Sequence, residues 1–211
     1  MSQVKARTRI KFCGLTRPED ITQAVALGVD ALGFVMWPKS SRSITPGALQ
    51  VLAAQVPAFV TRVGLFVNQP AELIEQCLPH LDLIQFHGDE SPAFCQQFDR
   101  PWIKALRMRD DLDLHKAAQQ YAAAQALLLD AYRPGLPGGT GETFDWSRIP
   151  ATLEKPVILA GGLTASNIAA AVDQVAPYAV DVSGGIEASP GIKEAGLMAA
   201  FVRHVAQADR R

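Results

Sequence analysis

Short apolar runs alternate with segments of helical spacing along nearly the whole chain, and this alternation limits the available folds more than any other feature. Each run is nearly continuous in apolar residues and sits close to a helix, which is how parallel strands buried on both faces read. The runs are Arg9 to Cys13, Asp30 to Val35, Arg62 to Val67, Leu83 to Phe86, Trp102 to Leu106, Ala126 to Asp130, Val157 to Ala160 and Ala179 to Ser183. Between them lie expected helices: Pro18 to Leu27, stopped by Gly28; Pro46 to Val56, capped by Thr45; Pro70 to Leu78; one opened by Ser91-Pro92; and Asp113 to Ala124. A short helix from Trp146, then Ala165 to Val175 and Glu194 to Ala208, complete the series. About eight such units close a parallel barrel. The expected fold is therefore α/β, a single-domain (β/α)8 TIM barrel over residues 1–211, small for its kind. An open doubly wound sheet would hold fewer strands and a phosphate loop after its first strand, where this chain has Cys13-Gly14-Leu15-Thr16.

Composition narrows the function. Twenty Lys+Arg against 21 Asp+Glu supply no broad positive field for nucleic acid or an anionic membrane. The three cysteines, Cys13, Cys77 and Cys95, are odd in number and form no CxxC pair, which points away from disulfides and zinc and toward a reducing cytoplasm. No apolar stretch is long enough for a membrane span, and residues Met1 to Lys11 lack the apolar core of a leader peptide. A monomer is expected, and no His/Asp/Glu cluster has metal-like spacing, so no cofactor is required.

In a barrel of this kind the site lies where strands end, and phosphate commonly sits between the loops after the last two strands. Both of those loops begin with glycine pairs, Gly161-Gly162 and Gly184-Gly185. Their backbone N–H groups could hold an anion closely, or the pairs could merely make tight turns. Cys13, at the end of the first run, is either a buried small hydrophobe or a base. Asp130 ends a leucine run and enters the irregular segment Tyr132 to Gly141, too glycine-rich for regular structure, which makes a helix cap a poor account of it. Arg42 could be a solvated charge, yet its loop opens on the face of Cys13. His87 could be a ligand, a base or a bond to a neighbouring loop, and is left unassigned. Cys77 and Cys95 fall inside helix patterns and are read as structural.

Taken together, these residues resemble the phosphoribosylanthranilate isomerase family of tryptophan biosynthesis. The resemblance runs through Lys11-Phe12-Cys13-Gly14-Leu15-Thr16, Gly64-Leu65-Phe66-Val67-Asn68, Ile84-Gln85-Phe86-His87-Gly88-Asp89-Glu90, Gly138-Gly139-Thr140-Gly141 with Phe144-Asp145-Trp146, Leu159-Ala160-Gly161-Gly162-Leu163, and Asp181-Val182-Ser183-Gly184-Gly185-Ile186-Glu187. It implies a cofactor-free barrel acting on a small phosphoribosyl substrate by an Amadori rearrangement of an aminoaldose to an aminoketose. It further implies Cys13 as general base, Asp130 as general acid, Arg42 as contact to the anthranilate carboxylate, and the backbone around Gly162, Ser183, Gly184 and Gly185 as the phosphate site. Departures from the family pattern are Ser41 where proline often precedes the arginine, Phe86 for leucine, Ser183-Gly184 for two serines, and Glu142 for lysine.

The implied chemistry sets requirements. Opening the ribose ring needs a proton on the ring oxygen, which a carboxylic acid held protonated by burial or a neighbouring anion can give. A base then removes the C2 proton acidified by the resulting imine. An ordinary thiol titrates near ~8.5, so the fold must lower that value or the proton must move as the imine charge forms nearby. A related phosphosugar isomerase of histidine biosynthesis is the nearest alternative, but that family carries aspartate where Cys13 stands. A non-catalytic phosphosugar-binding barrel is the other.

Overall fold

The computed structural model describes residues 7–131 and 143–211. Eight parallel strands close into a barrel in chain order: β1 (Arg9–Cys13), β2 (Ala31–Val35), β3 (Thr61–Phe66), β4 (Leu83–Phe86), β5 (Trp102–Arg107), β6 (Leu127–Asp130), β7 (Val157–Leu159) and β8 (Ala179–Val182). Closure is made by β1 against β8, with Lys11 opposite Asp181 in register. Around the barrel run α1 (Pro18–Ala26), α2 (Pro46–Ala53), α3 (Ala71–Cys77), α4 (Pro92–Gln96), α5 (Leu114–Gln120), α6 (Ile168–Val175) and α7 (Ala195–Asp209).

Strand alternation divides the core in two. Outward residues Phe12, Phe34, Phe66 and Phe86 join helix residues such as Ile21, Ile74 and Phe201 in one large buried layer between barrel and helices. Phe12 meets Phe201 edge to face, with ring centroids 6.2 Å apart. Inward residues Ile103, Ala105, Ala126, Leu128, Ile158, Ala160 and Ala179 form a smaller cluster inside the barrel. Cys13, Val35 and Leu65 form a third.

The helices begin where expected chemistry begins them. Thr45 Oγ1 accepts from Ala48 N at 3.2 Å, Ser91 Oγ from Phe94 N at 3.2 Å, and the Glu194 carboxylate from Gly196 N and Leu197 N. Several are shorter than their periodicity predicts. α2 stops at Ala53, not Val56, and α5 at Gln120, not Ala124. In α5 the next residue, Tyr121, leaves helical geometry at ψ 43° while its hydroxyl donates to the Glu90 carbonyl at 3.1 Å, a tertiary bond that helix propensity cannot foresee. α6 starts at Ile168, not Ala165, because Asn167 is used otherwise. The segment from Trp146 is a single 3-10 turn, Trp146–Arg148. One element was not expected at all: an antiparallel hairpin, β9 (Glu187–Ser189) with β10 (Ile192–Lys193), between β8 and α7. No helix among the described residues is long and apolar enough to cross a membrane.

Candidate active site

A cleft of about 670 Å³ opens at the strand ends, within the usual range for a small-molecule site. Cys13, Arg42, Asp130, Gly162, Ser183, Gly184 and Gly185 all line it. Cys13 ends β1 and Asp130 ends β6, with β7 and β8 between them in the barrel, so the two groups face the same space from different walls. Both are nearly buried, at 5% and 7% exposure. The motif Gly138 to Gly141, the rest of the expected loop after Asp130, and Glu142 lie outside the described residues.

The glycine loops are shaped by close approach. A side chain at Gly185 would collide with the Leu163 carbonyl, so the loops after β7 and β8 touch only because that position is bare. Gly162 has φ 63°, and Asn167 brackets its loop, donating from Nδ2 to the Gly162 carbonyl and accepting at Oδ1 from Thr164 N, both at 2.9 Å. Ser183 Oγ donates to the Cys13 carbonyl at 2.9 Å, tying the end of β8 to the end of β1.

Asp130 has a partner that the sequence left open. His87 Nε2 lies 3.1 Å from Asp130 Oδ2, and His87 Nδ1 lies 3.0 Å from Gln85 Nε2. Gln85, His87 and Asp130 therefore form a chain along the inner wall, the His87 ring bonding Asp130 rather than a neighbouring loop.

Burial pushes Cys13 above the ordinary thiol value, with the Asp181 carboxylate adding to the rise. Lys11 and Lys193 pull the other way without reversing it. The fold thus does not lower the thiol as one of the two sequence-derived routes would require, since the cost of a buried anion exceeds the help from two nearby ammonium groups.

Four further charged residues belong to this region. Lys11 Nζ donates to Asp181 Oδ1 at 2.7 Å inside the barrel. Arg42 donates from Nε and Nη2 to the two oxygens of Glu187, at 2.8 and 2.6 Å. Lys193 Nζ donates to the Cys13 carbonyl at 2.6 Å and to Glu187 Oε1 at 2.8 Å. Sequence reading assigned Lys11, Asp181, Glu187 and Lys193 no part, although strand parity held a signal for the first two. Lys11 stands two before Cys13, and Asp181 two before Ser183, which puts both charges on inward positions where a partner is obligatory. Among the described residues no group of three His, Cys, Asp or Glu side chains stands close enough to hold a metal.

Chemically, this is a concave phosphosugar-sized site with a thiol, a carboxylate and an imidazole on its walls, glycine loops on one rim and an arginine on another. Comparison with known proteins agrees. Residues 10–204 match the family model described as N-(5'phosphoribosyl)anthranilate (PRA) isomerase. The N-(5'-phosphoribosyl)anthranilate isomerase of Chromohalobacter salexigens is 64% identical over 205 residues, 97% of each chain. The crystal structure of phosphoribosyl anthranilate isomerase from Thermotoga maritima superposes with a TM-score of 0.87 at 36% identity, covering 95% of this chain and 99% of that one. A crystal structure of the enzyme in complex with reduced 1-(o-carboxyphenylamino)-1-deoxyribulose 5-phosphate gives 0.84 at 35%, with the same coverage. With the family model spanning nearly the whole barrel and a relative at this identity along almost its full length, the chain belongs to the N-(5'-phosphoribosyl)anthranilate isomerase family.

Proposed function

We propose that residues 1–211 act as one domain that isomerises N-(5-phosphoribosyl)anthranilate to 1-(2-carboxyphenylamino)-1-deoxyribulose 5-phosphate, a step of tryptophan biosynthesis. The observation that carries the reading is that a thiol at the end of β1 and a carboxylate at the end of β6 face one cleft rimmed by the glycine loops after β7 and β8.

In this reading Asp130 gives a proton to the ribose ring oxygen, the C1–O bond breaks, and the anilino nitrogen becomes a protonated imine. The imine acidifies the C2 proton, Cys13 removes it as thiolate, and the enolamine tautomerises to the ketone. An imine cation forming near the sulfur offsets the burial that raises Cys13. Arg42 holds the anthranilate carboxylate with the guanidinium edge that Glu187 leaves free. The phosphate is held by backbone around Gly162, Ser183, Gly184 and Gly185. No step calls on a cofactor.

A fluorescence assay following loss of phosphoribosylanthranilate tests the activity. Turnover of the imidazole-bearing aminoaldose of histidine biosynthesis with none of the anthranilate substrate, or tight binding without turnover, would replace this reading. We also propose a monomer working in the cytoplasm. Sedimentation velocity decides between monomer and dimer.

A further inference from the structure

Among the groups behind the cleft, one arrangement has no part in the scheme above. Lys11 and Asp181 are inward-facing, 4% and 9% exposed, and paired at 2.7 Å across the β1–β8 seam. Two charges withdrawn from water are a poor means of stabilisation, because desolvation offsets most of their attraction. This pair abuts the base. Gly33, opposite Cys13 in register on β2, has no side chain, and a Cβ there would stand 2.8 Å from Cys13 Sγ and 2.9 Å from Lys11 Nζ. Ammonium and sulfur converge on the one bare position of the neighbouring strand.

We propose that Lys11 is a positioning residue that governs when Cys13 carries its negative charge, with Asp181 as the opposing half of the control. Lys11 favours the thiolate and Asp181 disfavours it, so the pair sets opposing pulls that the imine cation formed on ring opening can tip. Ionisation breaks the S–H bond and passes the proton to solvent in the cleft, leaving the electron pair on sulfur. The later catalytic step forms a new S–H bond with the proton from C2, and Lys11 keeps its own protons throughout. Across the cleft stand Asp130 and His87, and the other charged groups facing this region are Lys193 and Glu187 from the hairpin and Arg42 from the loop after β2. Those three are paired among themselves, and the Lys193 contact on Cys13 is to its backbone carbonyl, whereas Lys11 reaches the side chain's own surroundings. The opposing pulls of Lys11 and Asp181 on the thiol agree with this placement.

This inference rests on Cys13 being the base, so its test reads ionisation and not turnover. Iodoacetamide labelling of Cys13, located by mass spectrometry on the full-length protein, is followed against pH. In Lys11→Met the labelling midpoint should rise by at least about one pH unit, and Lys11→Arg should restore part of that shift. In Asp181→Asn, close in shape to the original and a second route should Lys11→Met not fold, the midpoint should fall. An unchanged or lower midpoint in folded Lys11→Met, or an unchanged or higher one in Asp181→Asn, overturns the proposal. Retained turnover in Cys13→Ala would instead overturn the assignment of the base, which is a separate result.

Discussion

Arg42 and Glu187 meet as a two-point fork, Nε to Oε1 at 2.8 Å and Nη2 to Oε2 at 2.6 Å, across 145 residues of sequence. The Glu187 side chain is almost excluded from water, and although that burial works against its charge, Arg42 and Lys193 together hold its carboxyl below the usual range. The fork fixes the arginine against the hairpin and leaves its other edge toward the cleft. In the proposed reading the arginine touches a part of the substrate that does not react, so Arg42→Ala should raise KM far more than it lowers kcat. Glu187→Gln should give a milder change of the same kind by letting the guanidinium swing. Steady-state kinetics on both variants checks this; an unchanged KM in Arg42→Ala would point to another anchor.

For the reacting groups, Cys13→Ala and Asp130→Asn should each cut kcat by at least ~10²-fold, a typical general acid–base contribution. Circular dichroism should show both variants folded, since each change removes a small group lining a cleft. Near-normal turnover in either would sink its role.

Lys104 and Glu90 form a second buried pair at 2.9 Å, both side chains almost wholly excluded from water. Lys104 also donates to the Gly88 carbonyl at 2.6 Å, while Glu90 accepts from Gly88 N and Asn68 N. The pair thus holds the loops after β3 and β4, and with them His87. Lys104→Met should strand the Glu90 charge and cost about 3–5 kcal/mol of stability, as removal of one partner from a buried pair does. Urea unfolding measures it, and a loss below about 1 kcal/mol would mean that the clamp contributes little.

Alkali should destabilise the fold. Burial pushes Cys77 to about 11 and Cys95 to about 12, so both stay protonated in the native state while an unfolded chain ionises its thiols near ~8.5. The unfolded state then binds fewer protons, and stability falls as pH rises above the ordinary thiol value and on toward about 11. Thermal melts across this range should show the decline, and it should be shallower in the double variant Cys77→Ala, Cys95→Ala. Parallel profiles would assign the decline to other groups.

The barrel was legible because nearly every strand is a short apolar run with its own turn chemistry, and Thr45, Ser91 and Asp113 cap helices as such residues do. Helix ends were less so, because Tyr121 is spent on a tertiary bond and Asn167 on bracketing its own loop. The hairpin escaped notice because Glu187 to Lys193 is too short for periodicity to speak and Pro190-Gly191 reads equally as loop. In the site, position at strand ends marked Cys13, Asp130 and the glycine pairs as candidates, and their roles came only with the family resemblance. Lys11 and Asp181, one layer deeper, were hidden in apolar strands whose charges only the pairing explains.

The contact from Lys193 to the Cys13 carbonyl spans 180 residues, and Lys11 to Asp181 spans 170. A chain emerging from the ribosome carries Cys13 almost from the start and Asp130 with its His87 partner well before its end, yet Cys13 lacks its surroundings until β8 and the hairpin arrive. Partial barrels would therefore hold both reacting groups and remain inert. Assembly of the site coincides with closure of the last seam, the slowest kind of contact to form because the longest loop must be closed for it. Recovery of activity during refolding should accordingly report completion of the whole barrel, lagging any signal from its first strands.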